Sequence, residues 1–314
     1  MASSFDPGRV GVRLRVDAGV IGGVDVVLTR PAPARALRGR PATDAVALLP
    51  LLYSLCGKAQ GQAARLALAA ARGEETAVRR DEAVAREIAG EHLWRLLVDW
   101  PRALGLPAEE ALFVAGRRLL AEAHFPKWVE GNLQRAEGPL ARLLAALAAA
   151  AEPPATENRL LPDFEAAASV ELWPRLDEAL AAAPTWRGRA AQTGAFARAP
   201  NSGPPLQGRV QARLAELVSL APGRVSAVPV APGVGRAVVD TARGPLMHEL
   251  TLDGDRIADY VIVAPTEWNF HPAGPLVAWL GGLPEAAARD LAPRAVLALD
   301  PCVPWTLEVG DDGR

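Results

Sequence analysis

Two stretches hold the only cysteines of this 314-residue chain: LYSLCGKAQGQAA at positions 52–64, with Cys56, and ALDPCVPWTLE at positions 298–308, with Cys302. Cys56 opens a small-residue run that reads as a helix. There the unpaired backbone N–H groups and the helix dipole would favour a thiolate. Helical spacing places Ala59, Gln60 and Ala63 on its face, so no second ligand stands at i+3 or i+7. Cys302 follows Asp300-Pro301, where proline stiffens the turn that presents the thiol, and Trp305 stands three residues on. Neither stretch makes a metal site alone. An isolated cysteine in a reducing compartment is ordinarily a small buried hydrophobe, so these two count only if the fold brings them together.

Outward from these anchors the chain changes periodicity twice. Val10, Val12, Leu14 and Val16 alternate, a Gly-rich turn spans Gly19 to Gly23, and Val24 to Leu28 completes a hairpin. After Pro31 to Pro33, residues 43–72 read as helix with Pro50 kinking or restarting it. Further helices are expected over about 80–104, 108–123 and 126–151, with a short one near 170–183. Residues 152–158 and 199–208 read as loops. Short strands return over 224–263, with turns at Gly233 to Gly235 and at Asp253-Gly254. A helix over about 284–298 leads to the last element, 300–309. The expectation is an α+β, mainly helical chain: a helical bundle with small peripheral antiparallel sheets, forming a single domain over 1–314.

Half of the residues are hydrophobic and the formal net charge is −2. That balance gives no pull toward nucleic acid or an anionic membrane. The N-terminus, MASSFDPGRV, has no basic region followed by an apolar one, and no apolar run reaches the roughly 20 residues of a spanning helix. A cytoplasmic protein is expected. His248 and His271 fall in the strand-rich region, where packing is their commoner use, and His92 and His124 lie on helical stretches with no partner motif. The run Arg79-Arg80-Asp81-Glu82 reads as a solvated helix junction.

The order of the landmarks resembles that of the nickel-iron hydrogenase large subunit. Leu37-Arg38-Gly39-Arg40 followed by LYSLCGKAQGQAA is similar to the approach to that family's Arg-x-Cys-Gly-x-Cys-x-x-x-His motif. ALDPCVPWTLE is similar to its Asp-Pro-Cys-x-x-Cys-x-x-His motif, and AAQTGAFAR at 190–198 to a Glu-x-Gly-x-x-Ala-Arg stretch. TARGPLMHELTLDGDRIADYVIVAPTEWNFHP at 241–272 resembles its Ala-Pro-Arg-Gly and Val-Val-Pro-Thr/Ser-x-Trp-Asn segments. The likeness implies the large-subunit fold, with the terminal motifs meeting near its middle.

The departures imply a different activity. The second cysteine of each pair, which bridges the metals in the catalytic family, falls at Ala59 and Trp305, and the motif histidines at Ala63 and Glu308. The N-terminal Glu-Gly-His falls at Val10-Gly11-Val12. Trp305 would fill volume where a metal should sit. Two sulfurs cannot supply nickel with its set of thiolates, so no nickel is expected and catalysis is not. The chain also ends soon after Glu308, without the extension that maturing large subunits lose.

The pattern of one cysteine left per motif resembles the HupK/HoxV class of hydrogenase accessory proteins. That class implies a scaffold on which an Fe(CN)2CO unit is held before transfer to the apo large subunit. Its implied metal ligands are Cys56 and Cys302. Arg243 is implied to contact one cyanide, and Pro265 with Thr266 the other. A cyanide nitrogen is a partly anionic acceptor that a guanidinium or hydroxyl can satisfy in a dry pocket. The implied partners are the hydrogenase large-subunit precursor and HypC/HypD-type maturation proteins. The competing expectation is a metal-free chaperone or interaction protein for that precursor, with the cysteines as relics.

Overall fold

In the computed structural model the described residues are 8–31, 33–53, 55–154, 160–161, 173, 175–199, 203–219 and 222–311. The hairpin forms as the alternation demands. Strands β1 (Arg9–Asp17) and β2 (Val20–Thr29) pair antiparallel, and Val10, Val12, Leu14 and Val16 are buried. Its turn is tighter than expected. Ala18 and Gly19 alone make it, both at positive φ (47° and 79°), while Gly22 and Gly23 belong to β2, beside the register shift at Arg15/Val16. A primed two-residue turn matches the right-handed strand twist.

The expected helix over 43–72 divides into α1 (Ala42–Leu52), carrying Pro50 in its last turn, and α2 (Gly57–Ala71). Strand β3 (Thr76–Arg80), which the sequence pattern did not suggest, precedes α3 (Glu82–Trp94). The charge run read as a solvated junction contains the α3 cap: Asp81 Oδ1 accepts from the N–H groups of Ala83 and Val84 at 3.0 and 3.1 Å. A π-helical turn, Arg95–Asp99, joins α3 to α4 (Trp100–Ala103). Next come α5 (Glu110–Leu119), α6 (Phe125–Asn132) and α7 (Pro139–Ala149), the last two dividing one expected helix. Of the helix expected near 170–183, α8 (Glu178–Ala182) is described; residues 170–172 and 174 lie outside the described set. Likewise, of the loop expected over 152–158, residues 155–158 lie outside it. Then follow α9 (Ala195–Arg198) and α10 (Pro205–Val218). The loop expected over 199–208 thus ends early, because Pro205 occupies the first helical position, where a missing N–H costs nothing.

Strands β4 (Arg224–Ala231), β5 (Val234–Thr241), β6 (Gly244–Asp253) and β7 (Arg256–Val263) form an antiparallel meander, with β3 on the β4 edge. This five-stranded sheet is no peripheral feature. All eight residues of β5 are buried, and α2 lies against β4, β5 and β6. Gly235 permits the approach: a Cβ there would stand 2.1 Å from the Ala67 carbonyl oxygen and the Ala71 nitrogen. Short helices α11 (Pro265–Asn269) and α12 (Pro275–Leu280) lead to α13 (Glu285–Leu299) and strand β8 (Trp305–Asp311). β8 pairs parallel with β1, from Val10↔Trp305 to Val16↔Asp311, in a second sheet of order β2-β1-β8. The N-terminal hairpin and the strand that follows Cys302 therefore share one sheet. Among the described residues no helix is long and apolar enough to cross a membrane.

Candidate functional site

Cys302 sits in the turn between α13 and β8. Two residues before it, Asp300 adopts the left-handed conformation (φ 58°) that ends α13 and is 1% exposed. Holding a β-carbon in that region costs energy, and three guanidiniums hold it there. Asp300 Oδ1 meets Arg95 at 2.6 Å and Arg243 at 3.1 Å, and Oδ2 meets Arg213 at 2.9 Å. Burial works against the charge of Asp300, yet Arg243, Arg95 and Arg213 together hold its carboxyl far below the usual range. Arg243 also donates from Nε to the Asp300 carbonyl at 3.0 Å and from Nη2 to Glu91 at 2.9 Å. The turn presenting Cys302 is thus pinned by side chains from the π turn, α10 and the β5–β6 turn, the last braced in turn by Glu91 of α3.

The half-buried Cys302 sulfur has two close polar neighbours. Arg30 Nη2, at the end of β2, donates to Sγ at 2.8 Å, and the Thr266 hydroxyl at the start of α11 stands 3.0 Å from it. The Thr266 oxygen also accepts from the Cys302 N–H at 3.4 Å. Arg30 is held from behind by Glu267, Nε to Oε1 at 3.3 Å. Burial opposes the Arg30 charge, but Glu267, Cys302 and Tyr53 outweigh it and raise its pKa. Pro265 fixes the first turn of α11 and is buried.

Cys56 is the residue before α2. The expectation that this helix end favours its thiolate is not met. Glu87, from α3, takes the free donors instead, accepting from the Lys58 and Ala59 N–H groups at 2.8 and 3.0 Å. Burial, and then the charge of Cys302, push the Cys56 thiol up to about 12, against the pull of Arg243. Gln60 Nε2, on the face that helical spacing gave it, is 3.8 Å from the sulfur. The two sulfurs share an electrostatic environment: the charges of both act on Arg243 and on Tyr53.

Thr266 thus touches the Cys302 sulfur, and Cys56, Cys302 and Arg243 lie close enough for their charges to act on one another; Pro265 precedes Thr266 in the first turn of α11. Trp305 does not plug it: the indole is 37% exposed on β8. His248 is a packing residue, its Nδ1 3.0 Å from the Tyr260 hydroxyl and its pKa lowered by burial to about 3. His271 Nδ1 accepts from the Ala273 N–H at 3.0 Å. His92, for which the sequence offered no partner, sits buried with Nε2 2.7 Å from Glu216. Sequence reasoning missed Arg30, Glu87, Glu91 and the hub role of Asp300. Among the described residues, no group of three or more His, Cys, Asp or Glu side chains is gathered as a metal site, so the sulfurs are the donors on offer.

No protein-family model matches the sequence. The chain is 33% identical to the hydrogenase expression/formation protein HupK of Azotobacter vinelandii, over 96% of this chain and 98% of that protein. It is 33% identical to HupK of Rhizobium leguminosarum bv. viciae, over 96% of each. It is 32% identical to HoxV of Cupriavidus necator, over 88% of this chain and 90% of that one. Among solved structures, the Ni-Fe-Se hydrogenase of D. vulgaris Hildenborough superposes with a TM-score of 0.62 at 15% identity, over 91% of this chain and 94% of the other. That likeness establishes the fold, that of the hydrogenase large subunit. With two lone cysteines set in that fold and relatives matched nearly end to end, the chain belongs to the HupK/HoxV family of hydrogenase expression/formation proteins.

Proposed function

We propose that this protein serves nickel-iron hydrogenase maturation as a non-catalytic scaffold. Its cargo is an iron atom carrying two cyanides and one carbon monoxide, which Cys56 and Cys302 hold until it passes to the apo large subunit. What supports the reading is that two sulfurs, far apart in sequence, both act by their charge on the buried guanidinium of Arg243.

The donor set fits this cargo better than a bare metal ion. Two thiolates leave most of a transition metal's coordination shell open. An iron that brings three ligands of its own needs only two more to become five-coordinate, and remains transferable. The guanidinium of Arg243 spends Nε and Nη2 on Asp300 and Glu91 and leaves Nη1 without a partner among the described residues, available to a cyanide nitrogen. The Thr266 hydroxyl lies against the Cys302 sulfur, within reach of a ligand on any metal bound there. No nickel is part of this reading, since a nickel site would need more soft donors than two. The partners are the large-subunit precursor and HypC/HypD-type maturation proteins.

Infrared spectra of the protein purified from maturation-competent cells test the proposal. Cyanide and carbon monoxide bands are expected, and Cys56→Ala with Cys302→Ala abolishes them. Thr266→Val keeps the bands but shifts a cyanide stretch. Bands that persist without either cysteine, or wild-type protein without bands or iron, would leave a metal-free chaperone of the precursor as the function.

A further inference from the structure

Beneath Arg243 the buried charges do not cancel at every point. Helix α10 turns Arg209 and Arg213 inward, each 5% exposed. Together with Arg243 they line a cavity of about 10 Å³, closed by Thr193, Gly194 and Phe196 among others. Arg213 and Arg243 have carboxylates: Asp300 serves both, and Glu91 serves Arg243. Arg209 makes no ion pair among the described residues. Its Nη1 donates to the Pro205 carbonyl at 2.7 Å and its Nη2 to the Gln192 side-chain oxygen, both neutral acceptors. The guanidinium is sandwiched between two rings, 4.3 Å from the Phe196 centroid and 4.7 Å from that of Trp279.

A cation fixed in such a place needs a counter-charge, since burying an uncompensated ion is strongly disfavoured. The cation–π contacts offset part of that cost only. Burial, then repulsion from Arg213, lowers the Arg209 pKa to about 9, opposed by Glu152. Glu152 acts from a distance, because its carboxylate is committed to the Leu206 and Gln207 N–H groups at the first turn of α10, at 2.7 and 3.1 Å.

We infer that this cavity is a binding site for a small inorganic monoanion, chloride in the cell, held between Arg209 and Arg213, with Arg243 forming part of the wall. The volume decides the class. Space of this size admits about one water-sized particle, which excludes sulfate, phosphate and carboxylates but not a halide. A water molecule would fill the space yet leave Arg209 uncompensated. The inference does not depend on iron being carried.

Crystals of the full chain grown in sodium bromide, with diffraction collected at the bromine edge, test it directly. An anomalous peak is expected in the cavity. The Tm should also rise by about 2 °C as chloride replaces gluconate at fixed ionic strength, from a few millimolar to a few hundred. Arg209→Met, which keeps an apolar filler between the rings, should lose both signals; if that variant does not fold, the wild-type measurements still decide. A cavity holding only water at saturating bromide overturns the inference. A bromide peak with no chloride dependence of Tm marks an adventitious ion only and overturns it equally.

Discussion

The two sulfurs of the site have unlike surroundings. Cys302 is presented by a turn held by charge: Asp300 collects three guanidiniums, and the sulfur itself meets Arg30 at 2.8 Å and Thr266 at 3.0 Å. Among the described residues Cys56 has one weak contact, Gln60 at 3.8 Å, and the helix end that might have served it is occupied by Glu87. The first sulfur is positioned by charge and the second by burial. An incoming metal would therefore find a polar, pre-set ligand on one side. On the other it would find a neutral thiol that gives up its proton only when the metal replaces it.

The largest expected effect lies on the Cys302 side. Asp300→Ala leaves buried Arg213 without a carboxylate among the described residues and takes one from Arg95 and Arg243, which keep Asp99 and Glu91, and a loss of about 3–5 kcal/mol is expected in chemical denaturation. Asp300→Asn, which keeps the shape, should cost less; equal stability of Asp300→Ala and wild type would dissolve the contrast between the two sides.

The Cys56 side should announce itself at alkaline pH. Its folded pKa is raised from 9.0 to about 12, so the buried neutral thiol contributes stability that is fully present below pH 9 and is lost as pH rises toward 12. Between those limits the unfolded chain releases the proton first. The stability difference between wild type and Cys56→Ala should then fall by about 1.4 kcal/mol per pH unit. A flat difference across pH 9–11 would show that Cys56 is not held neutral by the fold.

The smallest effect concerns the helix end between the two sides. Glu87→Ala removes the acceptor of two N–H groups of α2 and should cost about 1 kcal/mol in thermal or chemical denaturation. Because Glu87 also raises the Cys56 pKa, alkylation of Cys56 at a fixed alkaline pH should quicken in that variant. Unchanged alkylation would mean that the carboxylate does not act on the thiol.

The sequence disclosed the parts of this molecule whose logic is local. The β1–β2 hairpin followed from alternation, and the β4–β7 meander from short strands parted by Gly turns, because both obey a period of two. Helix α10 escaped because Pro204-Pro205 reads as a loop, although Pro205 begins the helix. Cys56, Cys302, Arg243, Pro265 and Thr266 stood out through family motifs alone, since no spacing within either stretch makes a site. Arg30 and Glu91 gave no signal at all. Their partners lie 272 and 152 residues away, respectively, in Cys302 and Arg243, and nothing in a charged residue's own neighbours reveals a pairing at that distance. Asp300 was visible but misread: it looked like the first half of a stiff turn and is the anchor of three arginines.

The central claim, that both sulfurs bind one iron, is tested most directly by X-ray absorption at the iron edge of the protein purified from maturation-competent cells. The account predicts two sulfur scatterers at about 2.3 Å, falling to one in either single Cys→Ala variant that retains iron. Iron with no sulfur at that distance, or a sulfur count unchanged by both single substitutions, would contradict it.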